Sequence, residues 1–270
     1  MAQKRPNAPF GMMKEIAALF LIVLIAIILT LSLPNIPSQL GGNVDEFVSG
    51  LEASGFIVQE GRLSGIGPSA GNGEGLFPST YYSNPSTPYV SFLLPDAPEQ
   101  IFQSPFKGQD GMSPEFLLGE NEAIVYIGKT PPNMTYFSYR LFLARRYSIE
   151  EGAYKPVFTS FEDTANSMRI RTQGSLNGFM GDPFNQTTVL VVAGSKNTQN
   201  AVMGALMNAG YSSSVINTEE IPSEKVKLGL GQGADTFAYL ISLAFPDDEG
   251  AMENFIERPD ARVFRITPGK

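Results

Sequence analysis

Two turns in the chain carry residues suited to holding an anion. Gly128-Lys129-Thr130 and Gly194-Ser195-Lys196-Asn197-Thr198 each end an apolar run in a glycine, and the spacing predicts a helix after each. Free N–H groups at the positive end of a helix dipole attract a carboxylate or a sugar phosphate. Neither turn contains the Gly-x-x-x-x-Gly-Lys-Ser/Thr of a phosphate loop, and Pro131 and Pro132 remove two donors. Ordinary capping and turn chemistry is the stronger account of both turns.

A second group is aromatic and basic. Tyr136, Phe137, Tyr139 and Phe142 share a segment with Arg140, Arg145 and Arg146. Rings beside guanidinium groups can bind a sugar or a peptide, which makes Tyr136, Tyr139 and Arg140 ligand-binding candidates alongside Lys129, Thr130, Ser195, Lys196 and Asn197. Read as a helix from Met134 to Arg146, the segment places Phe137, Leu141 and Ala144 on one core-facing stripe. Arg145 and Arg146 then complement the dipole at its end.

Catalysis has few routes here, because the chain contains no His and no Cys. That removes disulfides, thiolate chemistry, the commonest metal ligands and the commonest general base. An enzyme would have to use carboxylates, as glycosidases do with two acids about 5–10 Å apart. Asp163, Asp182 and Asp235 lie in expected loops or at a strand start and are the catalytic candidates on that reading. The spaced aspartates of a calcium loop are missing, so neither a metal site nor a cofactor is expected. Asn133-Met134-Thr135 and Asn185-Gln186-Thr187 match the glycosylation sequon, a surface signal with no activity attached. The glycines of 65–75 lack the following helix and the lysine that a nucleotide loop needs, and they read as a connection.

These residues depend on elements that begin with an anchor. From Ile16 to Leu33 the chain runs uncharged for 18 residues, enough to cross most of a roughly 30 Å hydrocarbon layer. The run exceeds a signal-peptide core and ends in Leu33-Pro34-Asn35-Ile36-Pro37, which favours an uncleaved anchor in the lipid bilayer. Lys4, Arg5 and Lys14 precede it against Glu15 alone, placing the N-terminus in the cytoplasm and the rest outside the cell membrane. The expected organisation is a basic N-terminus (1–15), a transmembrane helix (16–33), a spacer (34–42), an α/β segment with long loops (43–180) and a C-terminal unit (181–270).

In the folded part, Asn43 caps a helix that Gly55 ends, and strands follow at 56–59, 89–94, 123–127 and 156–161. The clearest pattern is a strand over 188–193, a helix over 197–208, strands over 213–217 and 236–244, a helix over 247–256 and a strand over 262–267. That β-α-β-β-α-β order predicts a ferredoxin-like unit in a mixed α/β (α+β) protein, with one continuous α/β sheet as the alternative. The 27 Gly and 20 Pro predict long irregular connections.

Of 19 basic and 27 acidic residues, 16 and 26 follow the apolar run, a net charge near −10 that repels nucleic acid. Three functions fit: a membrane-anchored extracytoplasmic domain that binds a small molecule, sugar or protein; a tethered hydrolase acting on an envelope polymer through carboxylates; and a structural subunit of an envelope complex. The first is favoured by the absence of His and Cys.

Overall fold

Short apolar runs, some unbroken and some alternating with polar residues, make the described chain one of strands more than of helices. In the computed structural model, residues 41–66, 87–101, 110–161, 165–175 and 181–269 are described. The expected membrane segment 16–33, the spacer up to residue 40 and most of the glycine-dense stretch lie outside them. Among the described residues no helix is long and apolar enough to cross a membrane.

Five strands form the first sheet, in the order β1 (Phe56–Glu60), β12 (Ala261–Pro268), β5 (Ala123–Lys129), β9 (Thr187–Ala193) and β10 (Ile216–Glu220). Its neighbours are antiparallel except β9 and β10, which run parallel and are joined by helix α2 (Lys196–Asn208). The second sheet follows the order β2 (Arg62–Ile66), β3 (Tyr89–Pro95), β11 (Thr236–Pro246), β6 (Met134–Ser148) and β7 (Ala153–Ser160). The short strands β4 (Met112–Ser113) and β8 (Ala165–Asn166) are attached to β3 and β6.

Two apolar layers hold this arrangement together. On one face of the first sheet, Val125, Ile127, Val189, Val191 and Ile266 pack under Phe47 and Leu51 of α1 (Val44–Ala53) and Val202 and Leu206 of α2. On the other face, Ile124, Tyr126, Leu190, Val192 and Val263 meet the second sheet through Phe92, Phe137, Tyr139, Leu141, Phe237 and Tyr239. The middle of the first sheet is therefore buried on both sides, which is why β5 and β9 read as unbroken apolar runs. Asn43 caps α1 by accepting from the N–H groups of Asp45 and Glu46, and Gly55, at φ +86°, ends it.

The expected helix from Met134 to Arg146 is instead the 15-residue strand β6. Phe137, Tyr139, Leu141 and Leu143 recur at period two and oppose Leu243, Ile241, Tyr239 and Phe237 of β11. Phe137 and Leu141 fit either period, whereas Ala144, which shared their helical stripe, turns to the opposite face of the strand. Aromatic composition and a matching apolar partner strand decide for the sheet.

The ferredoxin-like unit is likewise corrected. Its six elements occur in the expected order, as β9, α2, β10, β11, α3 (Glu249–Glu257) and β12, with a single 3-10 turn before β10. They do not share one sheet: β11 lies between β3 and β6 in the second sheet, and β12 lies between β1 and β5 in the first. Nor do both helices cover one face. α2 packs on the outer face of the first sheet, whereas Phe255, Met252 and Ile256 of α3 join the layer between the sheets. Strand β11 leaves because its alternate residues Phe237, Tyr239, Ile241 and Leu243 match the apolar face of β6, a pairing that no hydrophobicity count along 181–270 contains.

Candidate functional site

The residues singled out by sequence are mostly absorbed by the fold. Gly128-Lys129-Thr130 leads into β6, so no helix dipole stands behind it. Lys129 pairs with Asp260 at 3.2 Å, and buried Thr130 is held by Gln186, its N–H donating to the carbonyl at 2.9 Å and its Oγ1 accepting at 3.0 Å and donating at 3.3 Å. At the other turn Ser195 is the N-cap of α2, accepting from the N–H of Thr198 at 3.3 Å, and Lys196 Nζ donates to Gln199 Oε1 at 2.6 Å. Asn197 is exposed in the first turn. Gly194 is required by packing: a Cβ there would stand 2.7 Å from the carbonyl oxygens of Gly119 and Glu120. The capping and turn reading describes both segments.

Tyr139 is core, with its hydroxyl 3.3 Å from that of Tyr126, and burial pushes its pKa well above the ordinary value. Tyr136 accepts from Arg140 at 3.1 Å, and Arg140 also donates to Ser138. Arg145 and Arg146 do not complement a helix end. Arg145 pairs with buried Glu115 at 2.9 Å, and Arg146 grips buried Asp235 through Nε at 3.1 Å and Nη2 at 2.9 Å. Burial raises the Glu115 carboxyl above its usual range despite the attraction of Arg145.

Of the three carboxylates proposed for catalysis, Asp235 has both oxygens engaged by Arg146 and accepts further from the N–H of Lys227 at 2.9 Å. Asp182 caps an exposed turn through the N–H of Phe184. Asp163 lies outside the described residues. Among the described residues no three acidic side chains converge as a metal site would need.

A cavity of about 210 Å³ opens where β10 ends the first sheet. Its floor is Leu190 and Val192 of β9. One wall comes from Ala165 and Tyr239 of the second sheet, and the other from Asn217 and Glu219, which alternate along β10 and share the face of their partners Leu190 and Val192. Arg169 and Arg171 stand at the rim. The cavity thus lies between the end of the 43–180 segment and strands of 181–270.

The chain that carries the two arginines is fixed at both ends. The N–H groups of Arg169 and Ile170 donate to the Asn166 carbonyl at 2.9 and 2.8 Å. Asn217 closes a reciprocal pair with Arg171, accepting from its N–H at 2.8 Å and donating to its carbonyl at 2.9 Å, and Thr188 Oγ1 donates to the same carbonyl. Between the arginines, Ile170 is buried in the inter-sheet layer. Tyr239 donates to Glu219 at 3.5 Å, and burial holds its hydroxyl protonated well above the ordinary tyrosine range.

Two exposed arginines meet at this rim. Arg62, Arg145, Arg146, Arg262 and Arg265 all pair with carboxylates. Arg169 and Arg171 are exposed and make no ion pair among the described residues. Sequence reasoning missed them, although an Arg-Ile-Arg alternation in an acidic domain was a signal that the middle residue turns inward and its neighbours outward.

Compared with protein-family models, curated proteins and solved structures, the chain matches none.

Proposed function

We propose that this protein is a membrane-anchored, extracytoplasmic binding domain whose ligand site is the cleft between β10 and the second sheet. The uncharged run of residues 16–33 behind a basic flank supports a single crossing with the N-terminus inside. The two rim arginines over a polar-walled cavity carry the binding reading, since a concave site with a few convergent polar groups is the usual form of a ligand pocket. The tethered hydrolase is the weaker reading: it needs two available carboxylates across a cleft, and Asp235 is spent on Arg146. The lipid bilayer is the partner of the anchor, and a small molecule is the partner of the cleft. The net charge near −10 disfavours nucleic acid.

The anchor is tested by alkaline carbonate extraction of cell membranes. The full chain should stay in the pellet, and a chain starting at Asn43 should move to the supernatant. Release of the full chain would remove the anchor from the account.

A further inference from the structure

Resting on the reading that this domain lies outside the membrane, we propose that Asn133 is the attachment site of an N-linked glycan. Asn133-Met134-Thr135 has the acceptor pattern, and the folded chain supports its use in three ways. The acceptor amide is available: Asn133 is exposed in the bend between β5 and β6, and its side chain has no hydrogen-bond partner among the described residues. The bend is held in place around it. Pro131 and Pro132 are buried, the Pro131 carbonyl accepts from the N–H of Asn185 at 3.0 Å, and the Asn133 carbonyl accepts from the N–H of Asp247 at 3.0 Å. Finally, Thr135 is exposed and its hydroxyl makes no hydrogen bond among the described residues, whereas buried Thr130 and Thr188 spend theirs on the carbonyls of Gln186 and Arg171. The fold has no use for a hydroxyl at 135, and acceptor recognition requires one.

The second sequon shows what a purely structural origin looks like. Asn185 stands at φ +53°, a left-handed conformation that asparagine adopts more readily than most residues, so backbone geometry accounts for it and it carries no proposal. Asn133 is not among the residues with positive φ, and no contact of its side chain calls for asparagine. The donor is a lipid-phosphate-linked oligosaccharide on the outer side of the membrane. Asn133 Nδ2 forms a bond to the anomeric carbon of the first sugar, and the bond from that carbon to the phosphate oxygen breaks. The lipid phosphate leaves with the electron pair, and the amide gives up one proton.

Peptide mass spectrometry on the full chain, purified from the membranes of its own cells, tests the site. Cleavage after Lys129 and Arg140 releases residues 130–140, in which Asn133 is the only asparagine. That peptide should carry a glycan in most copies. Asn133→Gln and Thr135→Ala should each abolish it and make the chain run faster on a denaturing gel, and Thr135→Ser should keep it. Both residues are exposed, so the variants should still fold. A bare peptide in all copies, or a glycan that survives Thr135→Ala, would overturn the proposal. Ile149→Cys, in the exposed turn between β6 and β7, reports the side of the membrane independently. If an impermeant maleimide labels it in intact cells while Asn133 is bare, the glycan fails and the outside location stands.

Discussion

Replacing Glu122 with alanine should destabilise the protein by about 3–5 kcal/mol, because it strands a charge in the interior. Arg265 is fully buried, and its partner Glu122 is almost so. The carboxylate accepts from Arg265 Nη1 at 3.0 Å, from Thr267 Oγ1 at 2.6 Å and from the N–H of Gly119 at 2.8 Å. Arg265 Nη2 donates to the Leu117 carbonyl at 3.1 Å, and its guanidinium lies over the Phe116 ring. Burial lowers the arginine pKa from its ordinary value, the direction expected of a cation held out of water. Without Glu122 the compensation is gone, and with it the tie between β12 and the 117–119 segment. Denaturant unfolding of wild type and variant gives the difference. A loss below about 1 kcal/mol, the size typical of surface pairs, would show that the interior tolerates the lone guanidinium.

Phe92→Ala should be of similar size, about 3–5 kcal/mol, for a different reason. The Phe92 ring sits in the layer between the sheets, 5.8 Å from Tyr126 and 4.6 Å from Tyr239 between centroids. It therefore touches both sheets at once. Its removal leaves a cavity bounded by rigid strands that cannot close in, and it also loses the ring–ring attraction. Domains of ordinary stability have about 5–15 kcal/mol in hand, so either variant should melt many degrees below wild type. An unchanged midpoint for Phe92→Ala would contradict the two-sheet packing itself.

Local elements were legible in the sequence wherever a single physical signal dominated. Asn43 caps its helix with the bonds that its side chain predicts, and the apolar run of β5 reads as a strand because both of its faces are buried. Legibility ended where partners decide. Residues 134–146 carry apolar positions compatible with both periods, and only the matching face of β11 selects the strand. For the same reason the C-terminal elements were found in order but not in their sheets. The candidate site residues turn on a related point: Lys129, Ser195 and Asp235 look available in the sequence, and in the fold they meet Asp260, Thr198 and Arg146. Arg169 and Arg171 looked ordinary until the fold put them on one rim.

The central claim, a single anchor with the binding domain outside, is tested most directly by cysteine labelling, since the chain has no cysteine of its own. Ile149→Cys lies in the turn between β6 and β7, where the native side chain is 81% exposed. Gln3→Cys lies before the apolar run. In intact cells a membrane-impermeant maleimide should label Ile149→Cys at once and Gln3→Cys only after permeabilisation. Labelling of Gln3→Cys from outside, or of Ile149→Cys only after permeabilisation, would contradict the account.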